Sequence, residues 1–74
     1  MLYSTIHVQY HDGSKPKGAR VVLGFSGGMS KPVFTDIYGD ALVAHMSKGQ
    51  ADVYVNGKKC GSFHAPGERA VQLS

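Results

Sequence analysis

A single cysteine, Cys60, in 74 residues rules out an intramolecular disulfide, so packing alone has to hold the fold. No apolar run approaches the ~20 residues needed to cross a bilayer, and no membrane partner is expected. Polar and apolar residues alternate directly after Met1, without the apolar core of a signal peptide. The chain therefore reads as cytoplasmic, although a domain cut from a secreted protein would carry the same features. Helix-forming residues are concentrated nowhere. Charge is sparse too, at 18% of residues, with eight Lys/Arg against five Asp/Glu for a net +3. That mild excess suits an ordinary solvated surface, and it also leaves room for a nucleic-acid or other anionic partner.

Seventy-four residues make one domain spanning 1–74. A chain of this size buries only about 60% of its unfolded surface, which leaves a thin core and no large enclosed cavity. Its 42% hydrophobic content argues against disorder. Ten glycines imply many tight turns, and Val, Tyr, Thr and Phe recur in short runs, so the expected class is all-β.

The clearest local signal is ADVYVNGKKCGSF, residues 51–63. Asn56-Gly57 between two strand-forming runs predicts a type I′ hairpin, whose central residues both need positive φ. With that two-residue loop, Val55 pairs with Lys58, Tyr54 with Lys59, Val53 with Cys60 and Asp52 with Gly61. Alternation then turns Val53, Val55 and Cys60 inward and Tyr54, Lys59 and Phe63 outward.

Elsewhere, residues 2–10 alternate with Ser4, Ile6, Val8 and Tyr10 on one face, predicting a half-buried strand. Residues 11–18 form a polar loop containing the densest positive segment, Lys15 and Lys17. A second strand covers 19–25, where Gly24 suggests a bulge or a close approach of another backbone. Residues 26–30 read as a flexible connection. A short third strand covers 33–35, and Asp36 to Gly39 form a turn in which Asp bonds the backbone and Gly takes positive φ. Further strands cover 41–45 and, after a turn with Pro66 and Gly67 in type II positions, 69–73. Seven short strands with regularly spaced turns predict a sandwich or barrel.

The segments GARVVLGFSGG, FTDIYGDALV and GQADVYVNGKKCGSF together resemble the small Ig-like sandwiches of the carboxypeptidase-regulatory, transthyretin-like and bacterial Ig-like groups. The matching positions are Gly18, Val21, Thr35, Asp36, Gly39, Ala41, Val43, Gly49, Ala51, Val53 and Val55, across roughly residues 18–73. The resemblance implies an Ig-like (transthyretin-like) β-sandwich of about seven short antiparallel strands. It also implies a non-catalytic role as a stalk, adhesive module or accessory domain.

The residues that could carry chemistry do not converge in sequence. His7 and His11 share a strand face but stand ~13 Å apart, whereas zinc needs ligand atoms within about 2.3 Å of one ion. Cys60 and His64 are separated in the same way. A site built across strands from His45 and His64 is conceivable, but surface histidines are the default. Cys60 with His64 could form a nucleophile and base, yet its pairing with Val53 favours a small buried hydrophobe. Asp36 and Asp40 could contribute to a calcium loop but lack further ligands. Gly24, Gly27 and Gly28 do not make a phosphate loop.

The expectation is thus a non-enzymatic module with no catalytic residues, metal or cofactor. Its surface patch is Tyr54, Lys58, Lys59 and Phe63, serving a protein partner or self-association, with edge strands as a second recruiting element. The alternative is a single-stranded nucleic-acid-binding small β-barrel, which would use the same aromatic and lysine side chains.

Overall fold

A computed structural model describes residues 1–73. Eight strands run β1 (Leu2–Tyr10), β2 (Arg20–Phe25), β3 (Gly28–Met29), β4 (Val33–Phe34), β5 (Asp40–His45), β6 (Gly49–Val55), β7 (Lys58–Ala65) and β8 (Glu68–Leu73), with no helix among the described residues. They form two sheets packed as a sandwich: β5-β1-β8, and β3-β2-β6-β7 with β4 also pairing β2. The all-β class is as expected. One strand is additional. Ser26-Gly27 closes a tight hairpin that pairs Phe25 with Gly28 and Gly24 with Met29, so the expected flexible connection contains β3. Lys31-Pro32 then separates β3 from β4, and the two share one flank of β2.

Alternation sets the core. Ser4, Ile6 and Val8 from β1 face Val21 and Leu23 from β2, and Ala41, Val43, Val53, Val55 and Val71 complete the layer. Full burial of each Val, Leu or Ile contributes about 1.5–3 kcal/mol, and this has to offset chain entropy without a disulfide. The close approach at Gly24 comes from a side chain, where a bulge or another backbone was expected. A Cβ there would meet the Tyr54 ring at 2.9 Å, so the glycine lets that ring lie across the sheet.

Four expectations are corrected. β1 and β8 are parallel, with Val8 opposite Val71, so the sandwich is not wholly antiparallel. Parallel neighbours need a long crossover, and the rest of the chain supplies it. The 56–57 turn is type I′-like as expected, with Asn56 at φ 53° and Gly57 at φ 85°. Beyond it, however, a bulge between Val53 and Tyr54 shifts the register, so Val53 faces Gly61 and Asp52 faces Ser62. Phe63 consequently lies opposite buried Ala51 and packs against the core, on the face opposite to the one expected. The turn at Pro66-Gly67 is not type II, because Gly67 lacks positive φ. Finally, His45 is not a surface histidine. It is buried at 6% exposure and packs 5.1 Å from the Phe25 ring.

β1 and β2 lie in opposite sheets, whereas the first two strands of a constant-type immunoglobulin domain share one.

Candidate binding surface

The hairpin delivers part of its expected patch. Tyr54 and Lys59 are cross-strand partners, and Lys59 Nζ lies 3.4 Å from Asp52 Oδ1 on the next diagonal. Lys58 stands opposite Val55 at the strand end and is exposed. Phe63 belongs to the inner face, so the expected quartet does not form one surface. Cys60 sits at the bulge, half-buried, packed against the core and bonded through Sγ to the Lys58 carbonyl at 3.4 Å. Its inward packing agrees with the sequence reading, although burial is incomplete.

Tertiary structure adds neighbours to Lys58 and Lys59. Tyr10 ends β1 and Leu73 ends β8 at the same end of the sandwich, and the two are register partners. A cleft of about 460 Å³ opens there between Tyr10, Asn56, Lys58, Lys59, Gln72 and Leu73. Arg20 begins β2 at this end, tied to the hairpin turn by Asn56 N–H donating to its carbonyl and by its own N–H donating to Asn56 Oδ1. The 11–18 loop and the 35–39 turn close the same end. Thr35 Oγ1 accepts from Ala19 N–H at 2.9 Å and donates to the Pro16 carbonyl at 2.7 Å. Five of the eight Lys/Arg residues therefore gather here: Lys15, Lys17, Arg20, Lys58 and Lys59.

The acidic residues of these loops are committed to turns. Asp12 accepts from both the N–H and Oγ of Ser14, and these bonds hold its carboxyl below the usual range. Asp36 accepts from the N–H groups of Tyr38 and Asp40. On either side of Asp36, Phe34, Ile37 and Tyr38 are exposed. The sequence reading passed over this apolar group, although two large side chains at the centre of Asp36–Gly39 are an unusual filling for a polar turn.

The histidines divide by role. His7, on the outer face of β1, donates from Nδ1 to Asp40 on β5 at 2.7 Å, and its Nε2 lies 3.4 Å from Glu68 Oε1 on β8. The Asp40 bond is the main cause of a raised pKa, supported by Glu68 and opposed by partial burial. The two carboxylates engage opposite sides of the ring, and no cluster of three or more His, Cys, Asp or Glu side chains suited to a metal occurs among the described residues. The cross-strand site conceivable from His45 and His64 does not form: His45 Nδ1 donates to the Ser47 carbonyl and Nε2 faces Ser4 Oγ, both at 2.8 Å. Ser4 is 1% exposed, so its hydroxyl is closed to solvent, whereas His45, at 6%, borders the cleft at the other end of the sandwich. At the other end of the sandwich, Met1, Phe25, Met29, Val33 and Met46 line an apolar cleft of about 510 Å³.

No protein-family model and no curated protein matches the chain. No helix among the described residues is long and apolar enough to cross a membrane.

Proposed function

We propose that this chain is a non-catalytic binding module that takes an anionic partner at the basic, aromatic end of the sandwich. The observation behind this reading is the placing of five cations at one end of the sandwich: Lys58 and Lys59 line an open cleft with Tyr10, and Lys15, Lys17 and Arg20 stand on the neighbouring loop and the start of β2, near exposed Phe34 and Tyr38. A small rigid sandwich suits such a role, because the strands hold the side chains and the loops at one end present them. The non-catalytic part draws support from Ser4 and His45. Their geometry suits proton transfer, but burial denies a substrate access to the hydroxyl. The likeness to transthyretin-like and carboxypeptidase-regulatory sandwiches belongs to the same proposal, since accessory binding is the role those groups imply.

Single-stranded nucleic acid is the second reading, favoured by Tyr54 beside Lys59 and by Tyr10 at the cleft mouth. Fluorescence titration with labelled single-stranded DNA and with an acidic peptide, each at low and high salt, tests both readings. Binding to either should weaken steeply with salt and should fall in a Lys58→Glu/Lys59→Glu variant. If neither polyanion binds at low salt, the basic end is not a contact surface.

A further inference from the structure

Within five residues, Phe34, Ile37 and Tyr38 are 62%, 61% and 68% exposed. Large apolar side chains are usually drawn inward, and a group of them held outward marks a contact site. The segment is firmly held. Buried Thr35 fastens it to Pro16 and Ala19, and the Asp36 carboxylate caps the N–H groups of Tyr38 and Asp40. Gly39 takes φ 75° and donates its N–H to the Asp36 carbonyl, while its own carbonyl accepts from Val8 N–H. The apolar tip is thus presented by a built turn that is anchored to β1.

Three cations flank it, beside the turn's own Asp36 carboxylate, and the Lys15 ammonium donates to Gln9 Oε1 at 2.8 Å. Lys15 packs against the turn at Gly39, Lys17 lies two residues further along the same loop, and Arg20 is the cross-strand partner of Phe34. A nucleic acid could use the rings and the cations but offers nothing to the aliphatic Ile37. A lipid surface accommodates all of them. Tyr and Phe favour the headgroup boundary and Ile favours the acyl region, while Lys and Arg extend apolar stems and carry their charges out to anionic headgroups.

We propose that the 34–38 turn docks this protein onto an anionic lipid bilayer surface. Ile37, Tyr38 and Phe34 enter the headgroup–acyl boundary, and Lys15, Lys17 and Arg20 pair with the headgroups. The contact lies on the membrane and does not span it. It rests on the basic-end reading above and names the partner.

Co-sedimentation of the 74-residue protein with phosphatidylcholine vesicles, and with vesicles also containing phosphatidylserine, tests it. Binding is expected to the phosphatidylserine vesicles and to be at least about tenfold weaker on phosphatidylcholine alone or in high salt. Ile37→Asp and Lys15→Glu/Lys17→Glu should each lose at least about tenfold, with the circular dichroism spectrum retained. Absence of binding to anionic vesicles overturns the proposal, as does binding that Ile37→Asp leaves unchanged. Single-stranded DNA and the acidic peptide in the same low-salt buffer separate the two levels. If either binds while vesicles do not, the basic end stands as a contact surface and the lipid assignment fails; if none binds, both fail.

Discussion

Ser4 Oγ and His45 Nε2 meet at 2.8 Å inside the β5-β1-β8 half of the sandwich. The partners fix the proton. His45 Nδ1 faces the Ser47 carbonyl, which can only accept, so Nδ1 carries a proton, and in the neutral ring Nε2 is then the acceptor for the Ser4 hydroxyl. Ser4 Oγ in turn accepts from Gly67 N–H at 3.2 Å, which links β1, β5 and the turn before β8. No buried side-chain polar atom lacks a partner among the described residues.

Ser4→Ala removes the donor to a buried imidazole and the acceptor for Gly67. The expected cost is about 1–3 kcal/mol. Urea unfolding followed by circular dichroism measures it, and an unchanged midpoint would show that the hydroxyl contributes nothing.

His7 predicts a pH dependence. Its folded pKa is raised, first by the Asp40 bond, above an unfolded value of about 6.5. The stabilisation is therefore fully present below about pH 6.5 and is lost as pH rises through the folded value. The side chain is partly exposed, so the effect is small. The urea midpoint should be higher at pH 6 than at pH 9, and His7→Gln should remove most of that difference. A variant with the wild-type pH profile would sink this account.

Gly39→Ala should be costly for two reasons. The residue sits at φ 75°, and a Cβ there would run into the Val8 backbone carbonyl oxygen. Left-handed backbone alone costs a non-glycine residue about 1–3 kcal/mol, and the clash adds to it. Thermal unfolding should show a loss larger than that of Gly57→Ala, where a Cβ meets nothing within 4 Å.

Thr35→Val tests what anchors the exposed turn. Valine keeps the shape but leaves Ala19 N–H and the Pro16 carbonyl without the Oγ1 partner, at a cost of about 1–3 kcal/mol. Hydrogen exchange at Ala19 should accelerate in the variant. Unchanged protection there would mean that the hydroxyl is not what holds the two loops together.

Local features were legible in the sequence wherever one residue type has one strong reason to be where it is. Asn56-Gly57 reads as a hairpin because both residues reach positive φ, and Asp36 with Gly39 reads as a turn because the carboxylate can cap the backbone. The face of Phe63 was not legible, since one extra residue at the bulge reverses every assignment beyond it. His45 was also misread. A histidine ending an apolar strand looks like a surface residue until Ser4, 41 positions away, is known to face it. Of the proposed contact surface, Lys58, Lys59 and the Lys15–Lys17 cluster were visible, but nothing in the linear order joined them to Arg20 or Tyr10.

By itself, then, the sequence determined seven of the eight strands, the Asn56-Gly57 and Asp36–Gly39 turns and the all-β class, because those depend on propensity and φ preferences acting over a few residues. Tertiary structure decided the parallel β1–β8 pairing, the inward turn of Phe63, the burial of His45 and the collection of five cations at one end. Each of these depends on which distant segments share a sheet and in what register. That choice is made by packing two sheets around one core, and no short stretch of this chain encodes it alone.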